Sequence, residues 1–198
     1  MEIKEKQEQF LCLLEPVRRR LSLFARAMTR NDDDARDLMS ETILLAYENF
    51  EKIRDRQAFP AYLFSIASRL RKRNMWRARI FGGYDEEMAA NMPDGGQSPE
   101  SRVDIAALYE ALAKLPRKQH EAIVLFEISG FTLNEIQEIQ GGSLSGVKSR
   151  LRRGRQRLAE LLGATDADRS IDLRAAYAPS DENDASQLKV SNNYSLKV

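Results

Sequence analysis

The sequence predicts an all-α protein: two small helical domains joined by a flexible linker. Three observations carry this. Apolar residues recur at spacings of three and four along several stretches, the stripe of a helix with one packed face. Capping and breaking residues stand at the ends of those stretches. Between Gly82 and Arg102 the composition shifts to Gly82, Gly83, Pro93, Gly95, Gly96, Ser98 and Pro99 with few large apolar residues. That segment reads as a linker, at most about 70 Å long at roughly 3.3 Å per residue. The organisation that follows is a first helical module over 1–81, a linker over 82–102, a second module over 103–163, and a tail over 164–198.

Composition narrows the function. Of 198 residues, 42% are hydrophobic and 31% charged, the balance of a soluble helix-rich chain. No apolar run is long enough to span a membrane, and the start, Met1-Glu2-Ile3-Lys4-Glu5-Lys6, lacks the apolar core of a signal peptide. Cys12 is the single cysteine and His120 the single histidine. Intramolecular disulfides, cysteine-rich zinc sites, metal clusters and histidine-based triads are therefore not expected, and a reducing cytoplasm is. There is no phosphate-binding glycine loop either, so the chain is read as a protein without enzymatic activity or cofactor. The net charge of +1 conceals a segregation. Asp32 to Asp55 is mostly acidic, whereas Arg69–Arg79 and Lys148–Arg157 carry basic residues and no acid. Separate surfaces for a protein partner and a polyanion are the simplest use of such a pattern.

In chain order, Ile3 to Met28 reads as one helix or two, with Phe10, Leu13, Leu14, Val17, Leu21, Phe24 and Met28 at helical spacing. Pro16 is the point at which it would kink or divide. Asn31-Asp32-Asp33-Asp34 supplies a cap and first-turn negative charge for the next helix. There Ala35, Leu38, Met39, Thr42, Leu45 and Ala46 share one face, leaving Asp37, Ser40, Glu41 and Glu48 outside. A charged loop follows Phe50, and a further helix starts near Phe59-Pro60, with Pro60 at an early position that tolerates its missing N–H. Phe59, Leu63, Ile66, Ala67 and Leu70 form its buried stripe, with Tyr62 off the stripe. The helix runs into Arg69, Arg71, Lys72, Arg73, Arg77 and Arg79, with Trp76 among them. Rings beside cations suit single-stranded nucleic acid, although Trp76 by itself reads more simply as a packing residue.

In the second module a helix from Val103 ends at Leu115-Pro116, which seeds another. Ala122, Ile123, Leu125, Phe126 and Ile128 point inward from that one, and Ser129-Gly130 ends it. Thr132-Leu133-Asn134-Glu135 is a capping box, with Phe131 and Ile136 spaced as a hydrophobic staple. Gly141-Gly142-Ser143 makes a turn. The helix after it carries Val147, Leu151, Leu158 and Leu162 on one stripe and Ser145, Lys148, Ser149, Arg152 and Gln156 on the other side. A capped short helix, a glycine turn and a basic helix compose a helix-turn-helix, whose second helix reads duplex DNA. The tail over 164–198 is polar with an acidic bias and is expected to be flexible, with Leu188, Val190, Tyr194, Leu196 and Val198 alternating as in a hairpin.

These residues together resemble the extracytoplasmic function (ECF) sigma factors, a group of the sigma-70 family that contains only the second and fourth conserved sigma regions. Asp34-Ala35-Arg36-Asp37-Leu38-Met39-Ser40-Glu41-Thr42 is similar to the family's DAEDLVQET helix. Phe59-Pro60-Ala61-Tyr62-Leu63-Phe64-Ser65-Ile66-Ala67 is similar to its F-x-x-W-L-x-x-I-A segment. Leu115-Pro116 through Glu121, Thr132 to Ile139, and Val147-Lys148-Ser149-Arg150-Leu151 resemble its LP-x-x-x-R-E, S-x-x-E-I-A and VKSRL. The match covers about 10–163. It departs at Arg69 and Arg73, which replace a common Asn and Asp, and at Gln137, Gly142, Gly146 and Gly154. The two glycines in the basic helix would each cost about 1 kcal/mol relative to Ala.

The resemblance implies a region 2 bundle over 1–81 and a region 4 helix-turn-helix over 103–163. It implies a cytoplasmic factor that binds core RNA polymerase and directs promoter-specific initiation. On this basis Asp37, Ser40 and Glu41 would face the clamp helices of the polymerase's largest subunit, and the second module would lie at its flap region. Phe59, Tyr62, Arg69, Arg71, Lys72 and Arg73 would hold the melted −10 element, with one base flipped out. Ser145, Lys148, Ser149 and Arg152 would read −35 duplex, with Arg153 and Arg155 on phosphates. An anti-sigma factor is a further candidate partner. The rival reading, a stand-alone helix-turn-helix regulator of duplex DNA, leaves the acidic helix and the aromatic–basic helix without a role.

Overall fold

A computed structural model describes residues 3–29, 31–80 and 107–163. The linker 82–102, the start of the helix expected from Val103 and the tail 164–198 lie outside the described residues. Helix α1 spans Ile3–Met28 unbroken, with Pro16 inside it. Pro16 and Cys12, four residues back, are both exposed, so the Cys12 carbonyl deprived of its N–H donor is open to water and the helix need not divide. Helix α2 spans Asp32–Glu48 and starts as expected, the Asn31 side chain accepting from the Asp34 N–H at 2.7 Å. A 3-10 turn over Phe50–Lys52 leads to α3, Phe59–Ile80. The core of this module is aromatic. Phe10 meets Phe50 and Phe59 edge-on at 5.3 and 5.7 Å between ring centroids, an arrangement that suits ring quadrupoles.

In the second module α4 occupies 107–113 and buries Leu108, Ala111 and Leu112. Helix α5, Arg117–Ile123, starts directly after Pro116 and continues as a π-helical turn over Val124–Ile128, where the Ser129 N–H reaches back to the Val124 carbonyl at 2.9 Å. Helix α6, Leu133–Gln140, opens with the complete capping box of Thr132 and Glu135. Phe131 and Ile136, the expected staple, are both buried. Helix α7, Leu144–Leu162, buries Val147, Leu151 and Leu158, with Gly154 filling the gap in that stripe.

The two modules are not independent beads on a linker. Helix α3 packs against α6, and α1 against the π turn. The apolar centre of this junction is Phe64 of α3 against Phe131 before α6, with ring centroids 4.6 Å apart. Around it sit polar groups that periodicity alone does not place: His120 and Glu121 on α5 and Ser68 on α3, all buried.

Candidate polymerase and nucleic-acid interfaces

The acidic face of α2 comes out as a line. Asp37 and Ser40 are exposed, Glu41 is half-buried, and Glu48 is exposed one turn beyond Leu44. Leu44, 56% exposed, is the one large apolar side chain on this face and was not among the sequence candidates. Its signal was visible: a leucine off the buried stripe, between Glu41 and Glu48. Glu41 is in addition ion-paired with Arg73 of α3, which joins the acidic face to the basic helix.

On α3 the structure sorts the −10 candidates. Phe59, expected at the −10 strand, is fully buried against Phe10 and Phe50, where it supports the loop before α3. Arg71 turns inward, its Nε donating to the Met28 carbonyl at the end of α1 and its Nη1 lying 3.1 Å from Met75 Sδ. Expected on the −10 strand, Arg71 is half-buried and braces α3 against the end of α1. Arg69, Lys72 and Arg73 remain exposed and Tyr62 half-buried. Trp76, read as a packing residue, is 63% exposed instead. Arg69, Lys72, Arg73, Met75 and Trp76 line one open cleft of about 530 Å³ with Arg117 of the second module. An exposed indole among four arginine and lysine side chains matches what an unstacked base and its phosphates require.

The helix-turn-helix is held by side chains of its own. Arg150, on the basic helix, does not face outward. It donates to the Gln140 side chain at 2.5 Å, to the Gly141 carbonyl at 3.1 Å and to the Gly146 carbonyl at 3.1 Å, clamping α7 to the end of α6. Gly142 has φ of 94°, and the Gln137 side chain donates to its carbonyl at 3.1 Å. These two departures from the family pattern therefore compensate each other: a left-handed turn residue, and an amide that ties the turn down. Ser143 caps α7, accepting from the Gly146 N–H at 3.2 Å, and Ser145 lies 3.0 Å from its hydroxyl.

Ser145, Lys148, Arg152 and Arg153 stand exposed along one side of α7, and Ser149 is half-buried with Arg153 donating to it at 2.7 Å. Arg155 departs from this set. Its Nε donates to Glu127 of the π turn at 2.8 Å and its guanidinium lies 5.2 Å from the Phe126 ring. The guanidinium is thereby oriented by the π turn while the side chain stays exposed.

Similarity to known proteins agrees with this geometry. Residues 13–79 match the family model for sigma-70 region 2 and residues 105–158 that for sigma-70 region 4. The chain is 32% identical over 163 residues to the ECF RNA polymerase sigma factor EcfG of Rhodopseudomonas palustris, covering 78% of this chain and 87% of the relative. It is 31% identical over 146 residues to an RNA polymerase sigma-E factor of Streptomyces avermitilis, covering 73% and 79%. Among solved structures it resembles the sigma factor RpoE of Bartonella quintana in complex with the anti-sigma factor NepR. That likeness has a TM-score of 0.64 and 26% identity, and covers 81% of this chain and 98% of that one. The chain belongs to the ECF group of sigma-70 family factors, which bind core RNA polymerase and direct promoter-specific transcription initiation.

Proposed function

We propose that the Asp37–Ser40–Glu41 face of α2, extended by Leu44, is the surface that engages the clamp helices of the polymerase. The exposed leucine among acids is the observation that carries this, because an apolar contact rimmed by charge is how protein interfaces are built. Helix α3 then holds the non-template strand of the −10 element through Tyr62, Arg69, Lys72, Arg73 and Trp76. Base stacking supplies affinity, and the cations follow the backbone. Helix α7 enters the major groove of the −35 element with Ser145, Lys148, Ser149 and Arg152 toward base edges and Arg153 on phosphate. One good side-chain-to-base pair there is worth roughly 1–3 kcal/mol of discrimination.

The factor works in the cytoplasm, where polymerase and promoter are. Among the described residues no helix is long and apolar enough to cross a membrane. An anti-sigma factor of the kind seen on the Bartonella relative is the partner that would hold this protein inactive. The test is transcription from genomic fragments with purified core polymerase. Promoter-dependent transcripts are expected, and Arg152→Ala should weaken binding to a −35 duplex while core binding stays intact. Loss of core binding in that variant would sink the division of labour between α2 and α7.

A further inference from the structure

A single side chain joins the buried carboxylate of Glu121 to the guanidinium of Arg150. Glu121 lies on α5 and is 2% exposed, so its oxygens must find donors inside the protein. One oxygen accepts from Ser68 of α3. The other accepts from the Gln140 amide at 2.9 Å and lies 3.8 Å from the Arg117 guanidinium. Gln140, the last residue of α6, donates also to the Lys118 carbonyl at 3.2 Å, and its amide oxygen accepts from Arg150 at 2.5 Å. Arg150 completes the series. It donates to the Gly141 carbonyl just past α6 and to the Gly146 carbonyl one turn back on α7, each at 3.1 Å. The cation thereby also stands at the negative end of the α6 dipole.

Chemistry leaves little choice at position 140. A carboxylate only accepts hydrogen bonds and a guanidinium only donates them. A side chain between them must do both, and an amide does. The same logic fixes its orientation, with the nitrogen toward Glu121 and the oxygen toward Arg150. Leucine would bond to neither neighbour, glutamate would set a second carboxylate beside Glu121, and lysine a second cation beside Arg150. The guanidinium is planar and carries its donors in a fixed fork, so pinning it to both helices fixes the angle of α7 against α6.

That angle matters unequally for the contacts α7 would make with DNA. Hydrogen bonds to base edges weaken once the donor–acceptor distance grows much past about 3.2 Å. Phosphate contacts from long cationic side chains adapt to such shifts and carry no sequence information. Arg150 lies within the turn that carries Lys148, Ser149 and Arg152. We propose that Gln140 is a positioning residue for promoter selectivity. Held by Glu121, it locks Arg150 against the turn and so sets where Ser145, Lys148, Ser149 and Arg152 meet the −35 base edges. Gln140 itself touches no base. This rests on the assignment of α7 to the −35 element.

The test uses holoenzyme, the full chain bound to core polymerase, on two versions of a promoter fragment, one intact and one with its −35 element scrambled. The readout is the ratio of the two affinities. The parent should prefer the intact fragment, and Arg152→Ala should reduce that preference. Gln140→Leu should lower the ratio about tenfold, the worth of one charge-assisted hydrogen bond, with affinity for the scrambled fragment changed by less than about twofold. The exchange Gln140→Glu with Glu121→Gln again sets a donor against an acceptor at both joints. It should bring the ratio back, whereas Gln140→Glu alone should not. Parent-like selectivity in Gln140→Leu overturns the proposal. An equal fall on both fragments makes Gln140 a residue of stability alone and overturns it too, as does an exchange variant that stays as unselective as Gln140→Leu. A parent that does not distinguish the fragments strikes the α7 assignment instead.

Discussion

Replacing Gly154 by alanine tests whether the close crossing of α7 over α5 is real. Helix propensity alone expects Gly→Ala inside α7 to stabilise by about 1 kcal/mol. The structure expects the opposite. A Cβ at position 154 would stand 2.8 Å from Ile123 Cδ1 and 3.3 Å from both Ile123 Cγ1 and Gln119 Cβ. Carbon atoms pack best at about 3.5–4.0 Å, so three contacts are too short at once. Ile123 is fully buried, so relieving the contact means moving its side chain within the core. Overpacking of this kind costs about 1–3 kcal/mol, which leaves a net loss on the order of 1 kcal/mol after the propensity gain. At the size of this chain that is a fall of about 2–4 °C in Tm, measurable by far-UV circular dichroism. Gly146→Ala is the control, since its Cβ would meet only Ser143 Oγ at 3.3 Å and Arg150 Nη2 at 3.6 Å. That variant should be as stable as the parent or slightly more so. If Gly154→Ala raises Tm as much as Gly146→Ala does, the α5–α7 crossing does not select glycine and the argument fails.

Three further outcomes are expected. Phe59→Ala should cost about 3–5 kcal/mol by urea unfolding, as a large core truncation, and its transcription defect should track stability. Trp76→Ala should leave the unfolding midpoint in place and slow promoter melting, read by permanganate reactivity of the −10 strand; a large stability loss would return Trp76 to the core. Burial pushes His120 down to about 3 from 6.5, helped by the nearby Arg71 charge and opposed by a hydrogen bond to the Ala27 carbonyl. Between those two values the unfolded chain binds the extra proton, so stability rises with pH and is lost as pH falls below 6.5. From pH 6.5 to 5 the loss from this group is about 2 kcal/mol at 1.36 kcal/mol per pH unit. His120→Gln should flatten that part of the pH profile; an unchanged slope would mean that His120 is not held neutral.

What the sequence determined by itself was everything carried by neighbours within one or two turns. The Asn31 cap, the Thr132–Glu135 box, the Phe131–Ile136 staple, the stripe of α7 and the turn before it all depend on spacings of at most seven residues. The order of motifs along the chain, which identified the family and the job, was legible in the same way. Tertiary structure decided which member of each class of side chain is spent inside. Phe59 and Trp76 are both aromatics on α3, yet one is buried and the other is not, because Phe10 and Phe50 arrive from elsewhere in the chain to cover the first. Arg71 and Arg150 look like their basic neighbours in sequence, but carbonyl oxygens brought in by other helices claim them. The contact between the modules lies furthest from any local signal. Ser68 and Glu121 are 53 residues apart, and Arg20 and Ser129 are 109 apart. Periodicity reports that a face is buried; which surface buries it is settled only when distant helices meet and each polar group must find a partner.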